Sequence, residues 1–216
     1  MPDPLVPPTL VPLGDAGLLV RFGTSLSDDA NRAAIAFSRM LSARAPAGVT
    51  EIVPSLVSVL LKYDPHRTGF AQLAGEVRLL VGGDATVEPV AQHTIAVRFD
   101  GDDLADVSEA LGLTADAFVA AHNERPLRVL ATGFAPGFVY CGFHDERLVL
   151  PRRTSVRATV PAGTVLFAAG QTAVAATPIP TGWHVIGHTS FQNFDAMALP
   201  PTSLRAGDDV TFEAIG

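Results

Sequence analysis

Hydrophobic positions in the first ninety residues follow two patterns, one typical of strands and one typical of helices. Runs rich in β-branched and aliphatic residues, bounded by Gly, Pro or Ser, predict short strands. Apolar residues that recur every three or four positions, as they do after Ser27, predict an amphipathic helix that Ser27 caps and that ends near Leu41. The predicted strands are LLVRF (18–22), VTEIVPS (49–55) and LVSVLLKYD (56–64).

A second helix is predicted from about Gly69 to Leu80, with the glycines of VGGDA ending it. Strands and helices then follow a βαββαβ-like order, which is that of small ferredoxin-like α+β domains. Residues 1–85 are therefore expected to form one such domain. No cluster of catalytic residue types occurs in it, so it is expected to serve as scaffold or interface.

The pattern changes after Gly82–Gln92, which we take as the boundary of a second domain over 92–216. Two strands and two helices come first, the second helix capped by Thr114 and reaching His122. Beyond Pro151, strand-sized pieces alternate with Pro/Gly turns, which predicts a small β-barrel or sandwich. The strands are HTIAVRF (93–99), LRVLAT (127–132), TVLFAA, TAVAAT, HVIGH and DDVTFEAI, and the first helix is DDLADVSEALGL.

Charge and composition argue against some classes of function and limit how a ligand could be bound. The chain of 216 residues carries a net charge of −7 and one lysine, Lys62, which argues against a nucleic-acid surface. Any bound anion must then be held by arginine, by backbone N–H groups or by a partner. The single cysteine, Cys141, allows no internal disulfide, and the first ten residues lack the pattern of a signal peptide. A cytoplasmic protein is expected.

Residues 158–194 contain no Asp, Glu, Lys or Arg. Prolines, glycines and polar residues interrupt this tract, so it does not predict a membrane span. It is interpreted as short buried strands and turns, part of which another chain could cover. Val174 is taken as an exposed point of that surface.

The loop ATGFAPGFVYCGF (131–143) combines aromatic rings with helix-breaking residues. Glycines in it allow the backbone to approach a ligand closely, and successive turn N–H groups can bind an anion. The alternative is a tight structural crossover whose rings are core. The candidate substrate-binding residues of this loop are Gly133, Phe134, Gly137 and Phe138.

Three arginines follow the loop, namely Arg152, Arg153 and Arg157, and a planar guanidinium suits bidentate recognition of carboxylate or phosphate. Arg153 and Arg157 are expected to share one strand face. Gln171 and Thr172 offer donors and acceptors for an amide, or they satisfy strand-end backbone groups.

The remaining candidates are aromatic or titratable. Trp183 either stacks on a substrate ring or belongs to the core. His122 lies at a predicted helix C-terminus, which would favour its charged form, and it is a candidate general base or cap. His184 and His188 are too far apart on a strand to share a metal ion, so no metal site is expected. Cys141 should be a protonated, inert thiol.

Several segments in fixed order resemble the family of allophanate hydrolase subunit 1, also described as the 5-oxoprolinase B subunit, as the Kip-type inhibitor of a sporulation histidine kinase and as carboxyltransferase subdomain C/D. The likeness covers nearly the whole chain. The segments are GFAPGFVY (133–140), PRRTSVRATVPAGTV (151–165), AGQT (169–172), GW (182–183), IGHT (186–189) and LRAGDDVTF (204–212).

The resemblance implies a ferredoxin-like N-terminal domain followed by a cyclophilin-like β-barrel. It also implies a related second subunit, similar to allophanate hydrolase subunit 2 or the 5-oxoprolinase C subunit, and ATP-dependent opening of 5-oxoproline to glutamate by the complex. His122 and Gln171 are then the candidate catalytic residues, and the arginines, Thr172 and Trp183 candidate contacts to a substrate that carries a carboxylate. ATP would be held with partner subunits, because this chain has no G-x-x-x-x-G-K-[ST] loop. The alternative is a regulatory module that inhibits a sensor histidine kinase without chemistry.

Overall fold

The computed structural model describes residues 7–81 and 90–216, and the chain divides into two compact units, Met1–Pro89 and Val90–Gly216. Most of the predicted boundary segment, 82–92, lies outside the described residues. The domain limits 1–85 and 92–216 therefore stay predictions. Within the described ranges, no helix is long and apolar enough to cross a membrane.

The first unit contains an antiparallel four-stranded sheet in the order β1-β2-β4-β3. Two helices pack on it, and the buried residues between helices and sheet include Leu18, Phe37, Leu61 and Val77. The elements are β1 Thr9–Pro12, β2 Gly17–Arg21, α1 Asp28–Ala43, β3 Val49–Pro54, β4 Ser58–Tyr63 and α2 Phe70–Leu80.

Local sequence signals account for most of these boundaries. The Ser27 side chain accepts a hydrogen bond from the Ala30 N–H at 3.3 Å, which satisfies one of the free donors at the start of α1. Helix α2 begins at Phe70 with Gly69 as its N-cap, which agrees with the predicted start at about Gly69. Strands β3 and β4 pair on either side of the turn after Pro54.

The strand order of this unit differs in one respect from the predicted βαββαβ order. Strand β1, which was not predicted, precedes β2, pairs antiparallel with it and forms one edge of the sheet. The residues directly after α2 are 82–89, which lie outside the described part of the chain. The ferredoxin-like assignment stays a prediction.

The second unit is built on a curled seven-stranded sheet in the order β12-β9-β10-β7-β6-β13-β5. Strands β13 and β5 are parallel, and the other neighbouring strands are antiparallel. A two-stranded sheet, β8 with β11, lies beside it. The elements are β5 Gln92–Val97, α3 Leu104–Ala110, α4 Ala115–His122, β6 Leu127–Thr132, β7 Val139–Gly142, β8 Arg157–Val160, β9 Thr164–Ala168, β10 Gln171–Val174, β11 Ile179–Thr181, β12 His184–His188 and β13 Asp209–Ala214.

The curl brings the two edges of the large sheet together at one end. Arg98, just after β5, and His188, at the end of β12, exchange backbone hydrogen bonds of 2.9 and 2.8 Å. The result is a half-barrel, a coarser description than the predicted cyclophilin-like barrel. Thr114 caps α4 by accepting from the Ala117 N–H at 3.2 Å, so the predicted position of this helix is confirmed.

Candidate substrate site

Strands β7, β9, β10 and β12 of the curled sheet present side chains to two separate hydrophobic clusters. On β7, Val139 and Cys141 belong to the cluster that also contains Phe118 of α4 and Phe167 of β9. Tyr140, between them, packs with the second cluster, beside β8 and β11. Because side chains alternate along a strand, the sheet divides the residues predicted to form one site into two groups. We call these two surfaces the helix face and the outer face.

The outer face carries a row of aromatic rings that begins in the predicted loop. Phe134 and Phe138 have ring centroids 5.5 Å apart, Phe138 and Tyr140 4.9 Å, and Tyr140 and Trp183 5.9 Å. Phe134 is 69% exposed, whereas Phe138 and Trp183 are 3% and 6% exposed. Trp183 is therefore a core residue and, at the same time, the inner end of this aromatic row.

Arg152 lies over the indole of Trp183, with its guanidinium carbon 5.7 Å from the ring centroid. A cation in this position is attracted by the ring quadrupole. Burial raises the pKa of Tyr140, and the positive charge of Arg152 acts in the opposite direction. The two side chains are therefore close enough to interact electrostatically. Among the described residues, Arg152 has no carboxylate within ion-pair distance, so its fork is available to a ligand.

Gln171 is also on the outer face. Its strand partner is Ala168, which belongs to the outer-face cluster, and a Cβ placed on Gly142 would lie 3.3 Å from the Gln171 Cγ. The side chain is buried, and its Oε1 accepts no hydrogen bond from the described residues. A buried amide oxygen without a donor costs about 1–3 kcal/mol, so this atom is a place where a donor from outside would stabilise the protein.

Arg153 and Arg157 do not share a strand face, because Arg153 precedes β8, but one carboxylate of this chain holds both of them. Both guanidinium groups donate to the same oxygen of Asp103, Arg157 at 2.7 Å, and the other Asp103 oxygen accepts from the Val185 N–H at 2.8 Å. The Asp103 side chain is only 4% exposed. The prediction that these two arginines bind substrate therefore has no support in the geometry, because their charges are used to neutralise a buried acid.

The pKa of Asp103 reflects this environment. Burial alone would raise the pKa, but the hydrogen bond from Val185 and the two guanidinium groups outweigh it, so the pKa lies below its usual value. The clamp joins the start of α3, the segment after Pro151 and the edge strand β12. Its consequence for the site is that it anchors the segment that carries Arg152.

On the helix face, polar side chains form a hydrogen-bonded network. Only two of its members, His122 and Thr172, are identified as candidates from the sequence. The Thr172 hydroxyl lies 2.7 Å from Nε2 of His122 and 2.8 Å from Nε2 of His144, and the ring centroids of the two histidines are 4.7 Å apart. The other ring nitrogen of His122, Nδ1, lies 2.6 Å from the Asn123 Oδ1. Thr172 therefore bonds to histidines within the protein instead of facing an outer-face ligand.

Both histidines of this buried network are neutral. Burial lowers the pKa of His122 to about 4, and burial with the neighbouring His122 and Arg125 lowers the pKa of His144 to about 2. The expectation that the helix C-terminus favours a charged His122 is thus wrong, because desolvation is the larger effect. Its capping role is not found either: the residue at the C-cap is Asn123, and the His122 ring points into the core.

Neutral rings fix the direction of the hydrogen bonds. The Asn123 Oδ1 can only accept, so the His122 Nδ1–H donates to it and the His122 Nε2 accepts from the Thr172 hydroxyl. That hydroxyl then accepts from the His144 Nε2–H. Sequence reasoning missed His144, because a histidine after a glycine-rich loop carries no motif, and only the fold brings it to Thr172.

Two further expectations concern reactive groups. Cys141 is buried on the helix face, where burial raises the pKa of its thiol to about 12, so the prediction of a protonated thiol is confirmed. In residues 7–81 and 90–216, no group of three or more His, Cys, Asp or Glu side chains could hold a metal ion.

The loop that starts the aromatic row has an unusual backbone. Gly133 and Phe134 have φ angles of 124° and 77°, and Gly137 has 69°. A positive φ is uncommon for a residue with a side chain, and such conformations cluster at functional sites. The carbonyl of Gly137 accepts a 2.8 Å hydrogen bond from the Asn193 amide, which ties the loop to a second loop.

Substitution of Gly137 by valine is expected to destabilise the second unit. A Cβ at this position would meet the Phe194 Cβ at 2.6 Å and the Ala176 Cβ at 2.8 Å, in addition to the strain of φ 69°. Loss of roughly 1–3 kcal/mol is expected, measured by chemical denaturation. Gly112→Val is the matched control in the same unit, because Gly112 has the same φ of 69° but no atom lies within 4 Å of its Cβ position. Equal stabilities for the two variants would refute the packing argument.

The uncharged tract 158–194 is mostly internal. Strands β9 and β10 are buried throughout, and Val174 is 0% exposed in the helix-face core. The prediction of Val174 as an exposed point is wrong, because the lack of charge in β10 reflects burial on both faces of the sheet. Exposed apolar residues of this unit include Phe134 and Val156, which lie outside the tract.

The chain resembles known proteins along most of its length. Residues 8–204 match the family model described as "Carboxyltransferase domain, subdomain C and D". The chain belongs to this family. It is also similar to the 5-oxoprolinase B subunit of Bacillus subtilis (strain 168), with 29% identity over 218 residues that cover 94% of this chain and 91% of the relative.

Two solved structures extend the comparison. The protein called TTHA0988 superposes with a TM-score of 0.82 and 36% identity over 93% of this chain, which spans only 40% of that longer chain. The Kluyveromyces lactis urea carboxylase matches 100% of this chain with a TM-score of 0.75, using 23% of its own length. Its identity is 13%, so this likeness shows the fold alone.

Proposed function

We propose that this chain is the B subunit of a cytoplasmic, ATP-dependent 5-oxoprolinase complex, which opens 5-oxoproline to glutamate together with a related second subunit. The name of the Bacillus subtilis relative and the family match support this assignment. The observation that carries it is Arg152, a cation without an ion-pair partner among the described residues, placed over Trp183 on the outer face. A small ring that bears a carboxylate fits such a pair of groups.

In this proposal Arg152 binds the substrate carboxylate through two parallel hydrogen bonds. Tyr140 and Trp183 provide apolar ring surface beside it, and the buried Gln171 Oε1 is an acceptor for the lactam N–H. The Gly133 N–H donates to the Phe138 carbonyl at 3.1 Å, so the exposed turn offers the Phe134 N–H to developing negative charge. This arrangement corresponds to binding and orientation, which is what one component of a larger active site would contribute.

Nucleotide is assigned to the partner subunits. Lys62, the only lysine, belongs to the first unit and pairs with Glu51 at 2.6 Å. In the second unit, Arg153 and Arg157 are bound to Asp103. These residues do not fit a triphosphate, so no step through ATP is derived for this chain.

The proposal predicts that the isolated chain has no catalytic activity. Purified alone, it is expected to release no glutamate from 5-oxoproline and ATP, because its sequence has a single lysine and no G-x-x-x-x-G-K-[ST] phosphate loop. Co-purified with its partner subunits, it is expected to release glutamate in step with ATP hydrolysis. Robust turnover by the single chain would contradict the proposal.

The same assay separates the alternatives. Turnover of allophanate but not of 5-oxoproline would identify an allophanate hydrolase complex with the same subunit architecture. An assembled complex that hydrolyses neither compound, combined with inhibition of sensor-kinase autophosphorylation by the chain, would replace the enzymatic proposal with the regulatory one.

A further inference from the structure

A cavity on the helix side of the second unit is separate from the outer-face site. Its volume is about 590 Å³, which lies within the range of small-molecule sites. Helix α4 contributes Asp116, Val119 and Ala120, and the segment after β5 contributes Arg98 and Phe99. The walls are largely apolar, and three polar side chains, those of Arg98, Asp116 and Asn123, line it.

The buried polar network fixes the role of Asn123. Its Oδ1 is occupied by the His122 Nδ1–H at 2.6 Å, so the end of the amide that remains for a ligand is the NH₂ group, a donor. His122 is in turn held by Thr172, and its ring contacts Phe99, a cavity residue, edge-on with centroids 5.4 Å apart. The cavity wall is thereby tied to a rigid, buried network.

Arg98 remains available to a ligand despite its ion pair. Its Nε lies 3.5 Å from the Asp100 carboxylate, but the two side chains are 62% and 45% exposed. Pairs of this kind contribute about 0–1 kcal/mol, so a ligand carboxylate can compete for the guanidinium. Asp116, in the first turn of α4, supplies the opposite charge to the same cavity.

We propose that this cavity binds a zwitterion, namely a free amino acid with an apolar side chain. Arg98 and Asn123 donate hydrogen bonds to the ligand carboxylate, and Asp116 forms an ion pair with the ammonium group. The apolar walls, such as Val119 and Phe99, cover the ligand side chain. A cation, an anion and apolar walls in one cavity match this class of ligand better than a simple acid or a simple amine. The site is independent of the proposed 5-oxoprolinase activity.

Isothermal titration of the full chain with L-phenylalanine tests the proposal. Binding is expected with a Kd below about 1 mM. L-phenylalaninamide lacks the carboxylate, and N-acetyl-L-phenylalanine lacks the ammonium group. Each is expected to bind roughly tenfold more weakly or worse, the loss that corresponds to one charged contact.

Three variants locate the binding in the cavity. Arg98→Gln is expected to abolish the preference over the amide, Asp116→Asn the preference over the N-acetyl compound, and Ala120→Trp all binding. Asp106→Asn, in the first turn of α3 and outside the cavity lining, is the matched control and should bind like the parent. Absence of saturable binding, or equal binding of the three compounds, would overturn the proposal without affecting the function assigned to the outer face.

Discussion

Acidification from pH 7.5 to pH 5 is expected to lower the free energy of unfolding of the second unit by about 4 kcal/mol. His122 and His144 have folded-state pKa values of about 4 and about 2, whereas an unfolded histidine has its pKa near 6.5. Below pH 6.5 the unfolded chain therefore binds two protons that the folded chain excludes. Each histidine contributes on the order of 2 kcal/mol at pH 5, and the loss grows as the pH falls toward 4.

The measurement is urea denaturation followed by the fluorescence of Trp183, the only tryptophan, which reports on the second unit alone. The pKa values of Asp100 and Asp103 lie below that of an ordinary aspartate, so both carboxylates stay ionised throughout this window. His144→Gln is expected to reduce the dependence on pH from about two protons to about one. A parent curve that is flat between pH 7 and pH 5 would show that the two rings are not buried as neutral groups.

Asp103→Asn is expected to cost about 3–5 kcal/mol of stability at neutral pH, because it leaves Arg153 and Arg157 without the buried carboxylate that neutralises both. The amide keeps the shape of the side chain and removes only the charge. Asp102→Asn is the matched control: that carboxylate is 78% exposed and lies 3.6 Å from Arg157, so its loss is expected to cost no more than about 1 kcal/mol.

A difference between the two Asp variants is the decisive observation, and denaturation at pH 7.5 provides it. Asp103→Asn is also expected to raise the KM of the assembled complex for 5-oxoproline, because the freed segment no longer holds Arg152 over Trp183. Equal stabilities of the two variants would mean that the clamp does not anchor this segment.

Local chemistry in the sequence is sufficient to predict many of the elements. Ser27 and Thr114 cap helices where the spacing of apolar residues begins, and both caps are present in the structure. Strand β6, Leu127–Thr132, has the predicted bounds. The edge strand β1 is not predicted, since TLVP is short, contains proline and gains its partners only from β2.

The candidate site is harder to predict, because it depends on which face of a sheet each residue occupies. Gln171 and Thr172 are neighbours in sequence, yet strand alternation sends Thr172 to the histidines and Gln171 to the outer face. The three arginines show the same limit of prediction from sequence. Three guanidinium groups look alike in sequence, and only the position of Asp103, fifty residues before Arg153, distinguishes the two that are bound to it from Arg152.

The central claim is that Arg152 holds the substrate carboxylate, and steady-state kinetics of the reconstituted complex tests it most directly. Arg152→Gln is expected to raise the KM for 5-oxoproline by roughly tenfold to a hundredfold with little change in kcat, the loss that corresponds to one charge-assisted contact. Arg205→Gln, an exposed arginine of the same unit, should leave both constants unchanged. A parent-like KM in a fully assembled Arg152→Gln complex would contradict the assignment of the outer face as the substrate site.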